Sequence, residues 1–94
     1  MKKIRNEEAD ILFEAMLSLK DIDECRNFFD DLCTRKEIND MSQRLTVAIM
    51  LLNDDKYVDI TEKTGVSSAT ISRVDKCLDA DNSGYVNVLK KIGK

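Results

Sequence analysis

Apolar residues recur at helical spacing along nearly the whole chain. Ile11, Leu12, Ala15, Met16 and Leu19 form a first stripe. Asn6 stands ahead of it as a cap, with Glu7 and Glu8 in the first turn, where the helix dipole favours acids. Ile22, Cys25, Phe28, Phe29 and Leu32 form a second stripe behind Asp21-x-x-Glu24, a start resembling a capping box. Thr34-x-x-Glu37 opens a third helix that runs to about Asn53. Its stripe is Ile38, Met41, Leu45, Ala48, Ile49 and Leu52, while Val47, Met50 and Leu51 cover most of the remaining circumference. A helix that is apolar nearly all round must be surrounded. A chain of 94 residues can hardly enclose its own central helix. The pattern therefore points to an intertwined homodimer. The alternative is a monomer whose N-terminal helices wrap one side of that helix and whose C-terminal helices wrap the other.

Asn53-Asp54-Asp55 makes a turn into Tyr57–Leu78, which reads as a helix-turn-helix. Val58, Ile60 and Thr64 face inward from its first helix. Gly65 supplies the left-handed turn, Val66 plugs the corner, and Ser67 or Ser68 caps the second helix. Ile71, Val74 and Leu78 lie on one stripe of that helix, and Ser68, Ala69, Ser72, Arg73 and Lys76 point the other way. A polar loop, Asp79 to Gly84, precedes a last short helix carrying Tyr85, Val88, Leu89 and Ile92, with Lys90, Lys91 and Lys94 near its C-terminus. Alternating strand patterns are absent. The expected fold is all-α, with about six helices around a central helix-turn-helix. The expected organisation is a single domain over 1–94: dimerisation helices over 1–53, the helix-turn-helix over 56–78, and a C-terminal helix over 84–93.

Small, hydroxylated and basic residues suit a DNA groove, because they approach closely, bond base edges and reach phosphates. The candidate DNA-binding residues are Lys56, Lys63, Ser67, Ser68, Ala69, Thr70, Ser72, Arg73 and Lys76. The competing reading is an αα-hairpin with a solvated polar face, in a helical protein-interaction module without direct DNA readout. Against it, the outward face has no acid at its central positions, and Asp75 lies nearer the buried edge. The net charge of −3 looks wrong for a DNA binder, but it is segregated. From Glu7 to Asp31 there are nine acids and two bases, and from Lys63 to Lys94 six bases and three acids. That polarity would orient the protein on a polyanion.

No histidine is present and no carboxylates form an evident catalytic pair, which argues against an enzyme. Cys25, Cys33 and Cys77 lack paired metal spacing and read as free thiols, with Cys25 and Cys77 on or near buried stripes. No apolar run is long enough to span a membrane, and MKKIRNEEAD lacks the apolar core of a signal peptide. A cytoplasmic protein is expected, with double-stranded DNA and a second copy of the chain as partners.

From Leu32 to Leu78 the chain resembles the tryptophan repressor family, and within it the shorter YerC/YecD-type branch. LCTRKEINDMSQRLTVAIMLL resembles that family's central helix, and TGVSSATISRVDKCL its reader helix, above all Ala69-Thr70-Ile71 and Arg73. The resemblance implies an intertwined helical homodimer, operator binding and repression of transcription. It also implies a ligand site: Arg44 and Arg73 match the arginines that sandwich the indole of bound tryptophan, and Thr34 matches a threonine that helps hold it. The chain departs at Val74, where the family has glycine beside the ligand, and at Cys77, where it has serine. These departures argue against tryptophan as co-repressor. Two expectations follow: a smaller co-repressor, or a site that Val74 fills.

Overall fold

The computed structural model describes residues 6–94; the first five residues, assigned above to the dimerisation half, lie outside the described ones. Six helices form among the described residues: α1 Glu7–Leu17, α2 Ile22–Leu32, α3 Arg35–Leu52, α4 Tyr57–Thr64, α5 Ser68–Asp79 and α6 Gly84–Lys91. The all-α expectation holds, and most starts follow the capping chemistry. The Asn6 side chain accepts the Ala9 N–H at 2.7 Å. Asp21 accepts the Glu24 N–H at 2.9 Å, and Glu24 reaches back to accept the Lys20 N–H at 3.2 Å. These bonds satisfy donors that the first turn of a helix cannot satisfy itself. Ser67 caps α5 through the Thr70 N–H at 3.2 Å, and Ser83 caps α6 through the Val86 N–H at 3.4 Å.

The chain divides into an N-terminal unit ending at Arg35 and a second unit, Lys36–Lys94. In the N-terminal unit neither α1 nor α2 has a fully buried residue. Leu12, Ala15, Leu19, Cys25, Phe28 and Phe29 are half-buried, and the two phenylalanine rings meet edge to face at 5.5 Å. Ile11, Leu17, Ile22 and Leu32 are exposed.

The second unit holds the core: Val47, Ala48 and Met50 from α3, Ile60 from α4, Ile71 and Val74 from α5, and Leu89 from α6. The face that α3 turns to this core takes Ala48, with Ile49 packed against it, from the predicted stripe, and Val47 and Met50 from beside it. Met41, Leu45 and Leu52 of that stripe stay exposed. Val58 departs from the expected inward position and is 61% exposed, because Ile60 alone fills the α4 contribution to the core. The three cysteines are free, and half-buried rather than fully buried.

Gly65 ends α4 with φ +75°, its N–H donating to the Thr61 carbonyl at 2.8 Å. A Cβ placed there would meet nothing within 4 Å, so conformation rather than space demands the glycine. Gly65→Ala should therefore lower stability by about 1–2 kcal/mol, the cost of holding an L-residue in the left-handed region. Denaturant melts check this, and an unchanged midpoint would contradict it.

Candidate nucleic-acid interface

The α4–turn–α5 unit is fixed from three sides. Within the turn, the Thr64 hydroxyl donates to the Ile60 carbonyl at 2.7 Å and accepts the Val66 N–H at 3.3 Å. From α3, the Gln43 side-chain amide donates to the Thr64 carbonyl at 3.3 Å. Beneath α5, Ile71 and Val74 are buried and Leu78 is half-buried. This anchoring leaves one face of α5 in solvent.

That face carries Ser68, Ala69, Arg73 and Lys76, all exposed. Ser67 is exposed but its hydroxyl is engaged as the cap, and it also donates to the Thr70 hydroxyl at 3.2 Å. Thr70 is half-buried and turned toward the hollow described below. Ser72 is half-buried beside Tyr57. Lys56, immediately before α4, and Lys63, in its last turn, are both exposed. Four of the nine sequence-derived candidates thus share the open face of α5, with the others at its edges or on α4.

Sequence reasoning did not find the contact that settles Asp75. The Tyr57 phenol donates to the Asp75 carboxylate at 2.7 Å, joining the first turn of α4 to the middle of α5. This bond is the main reason the Tyr57 hydroxyl titrates above its ordinary value, with desolvation adding to it and the Ser72 hydroxyl opposing it. Only a bulky phenol at the α4 start, two turns' worth of α5 from the cap, could have hinted at the pairing.

A hollow of about 330 Å³ lies beside α5, lined by Arg44, Thr70, Arg73, Val74, Cys77 and Tyr85. Arg44 and Thr70 also border a neighbouring hollow with Asp40, Gln43 and Val66. Arg44 and Arg73 therefore converge on one hollow; Thr34 belongs to the N-terminal unit. Neither arginine of the hollow takes part in the ion pairs Arg26–Asp23 and Lys36–Asp40. Two guanidiniums beside a phenol suit an anionic or planar ligand. Val74, 2% exposed and part of the core, also contributes to the lining. No group of metal-ligating side chains occurs among the described residues, and none of their helices is long and apolar enough to cross a membrane.

Helices, turn and reader face define a helix-turn-helix protein, and the comparisons give its kinship. Residues 7–92 match the family model described as Trp repressor protein. The YerC protein of Bacillus subtilis (strain 168) is 50% identical over 90 residues, covering 96% of this chain and 86% of that protein. The crystal structure of a TrpR-like protein from Eubacterium eligens ATCC 27750 superposes with a TM-score of 0.88 at 49% identity, covering 95% of this chain and 92% of that one. A Staphylococcus aureus structure matches with a TM-score of 0.86 at 44% identity, covering 94% and 88%. The chain belongs to the Trp repressor family, as a YerC-type member. At the family level it is a DNA-binding transcription regulator.

Proposed function

We propose that this protein is a sequence-specific transcriptional repressor that binds duplex DNA as a homodimer through α4 and α5. The observation that carries this reading is the exposed face of α5. It offers a small side chain, a hydroxyl and two cations, while the Asp75 carboxylate accepts a hydrogen bond from Tyr57. Ser68 and Ala69, at the N-terminal end of the helix, meet base edges in this reading, with Ala69 against a thymine methyl. Arg73 and Lys76 reach a guanine edge or phosphate; Lys56 and Lys63 add phosphate contacts from α4. Ser67, Thr70 and Ser72 support the face from its margins.

The homodimer rests on surface that a single chain leaves uncovered. Ile11, Leu17, Ile22 and Leu32 on α1 and α2, and Met41, Leu45 and Leu52 on α3, are too many large apolar side chains to leave in water. A second copy would cover them and set two α5 helices for successive major grooves.

Lys76→Ala should weaken binding to all duplexes alike and flatten the dependence of log affinity on log salt by about one unit. A salt titration of both proteins tests this, and an unchanged slope would remove Lys76 from the phosphate contacts. Tryptophan is not required in this reading, because Val74 denies the indole its place. Calorimetry should show no heat with tryptophan at micromolar concentrations. A saturating isotherm there would overturn the blocked site.

A further inference from the structure

The carboxylate of Asp75 is out of place on a helix that reads DNA. It sits one residue from Lys76 and two from Arg73, in the middle of a helix whose other acid, the exposed Asp79, is its last residue. A carboxylate turned to the open face of α5 would repel phosphate and compete with DNA for both cations. In the structure it pairs with neither cation. Asp75 is half-buried, forms no ion pair among the described residues, and accepts the Tyr57 hydroxyl at 2.7 Å. Its partner is a neutral phenol, so the charge is not cancelled; it is aimed. The bond turns the carboxylate toward the start of α4, on the side of α5 where Ser72 also lies half-buried. Arg73 and Lys76 remain exposed and uncommitted.

We infer that Tyr57 is a positioning residue for the DNA-reading face: it holds the Asp75 carboxylate on the α4 side of α5, away from the duplex and from Arg73 and Lys76. This inference rests on the DNA-binding reading. Its rival is a purely mechanical role, in which the same bond only pins α4 to α5. The two differ in what a missing phenol does. If the carboxylate is the problem, neutralising it repairs the loss. If the pin is the problem, neutralising it repairs nothing, because the bond stays broken.

The test uses four full-length proteins: wild type, Tyr57→Phe, Asp75→Asn and the double variant, each titrated by anisotropy against a labelled duplex of mixed sequence at low salt. Tyr57→Phe should bind about threefold to tenfold more weakly, the range set by losing one oriented hydrogen bond. Asp75→Asn should bind at least as tightly as wild type. The double variant should return to within about twofold of Asp75→Asn, since no charge is left to position. Thermal melts of all four monitor folding, and the double variant shares any destabilisation of Tyr57→Phe, so its recovery cannot come from stability. The inference is overturned if Tyr57→Phe binds like wild type, or if the double variant stays as weak as Tyr57→Phe. Failure of wild type to bind any duplex would instead remove the DNA-binding reading, and this inference with it.

Discussion

Ile71→Ala should cost about 2–5 kcal/mol of folding stability, the range for truncating a fully buried aliphatic side chain. Ile71 has no exposed surface and lies in a core of seven buried apolar residues drawn from four helices. In so small a core the neighbours cannot collapse into the space without breaking other contacts. A small domain has about 5–15 kcal/mol to lose, so the variant should be partly unfolded near physiological temperature. Ile71→Val, which removes one methyl group, should cost about 0.5–1.5 kcal/mol. Denaturant unfolding of the three proteins gives the comparison. A loss below about 0.5 kcal/mol for Ile71→Ala, the size of an ordinary surface effect, would mean that α5 does not pack as described.

Ala69→Asp separates binding from folding. Ala69 is exposed in the first turn of α5, where a negative charge is favoured by the helix dipole, so the fold should be unharmed or slightly stabilised. The same carboxylate would stand at the centre of the face offered to DNA. Opposing like charges across an interface costs several kcal/mol, so affinity should fall by about a hundredfold or more. Ala69→Ser, small and uncharged, should retain binding within about tenfold, the loss of one base contact. An Ala69→Asp protein with a normal melting curve and undiminished DNA affinity would place the interface elsewhere.

The helices were readable because their ends are written in local chemistry. Asn6, Asp21 and Gly65 act on residues within four positions of themselves, and the sequence exposes that spacing directly. Ser67 against Ser68 was a choice of one residue, decided by which hydroxyl meets the Thr70 N–H. What the sequence hid is tertiary. Of the periodic stripe on α3, Ala48 and Ile49 join the core while Met41, Leu45 and Leu52 stay exposed, and Val47 and Met50, outside the stripe, are buried as well. A helix apolar all round has no pattern to say which neighbour covers which face. Val58 has the same apolar character as Ile60, and only the crossing of α4 over the core leaves one exposed and the other buried. The Tyr57–Asp75 bond joins residues 18 positions apart and has no periodic signature. The convergence of Arg44 and Arg73 was implied by family resemblance; the hollow and the buried Val74 give it physical content.

The most direct test of the central claim is selection of bound duplexes from a random pool, using the full chain with no added ligand. A dimeric reader predicts an enriched palindrome whose half-sites are centred about one helical turn, roughly 10 bp, apart. Ala69→Asp should enrich nothing. A wild-type pool that stays random, or one that Ala69→Asp enriches equally well, would contradict a DNA reader built on α5.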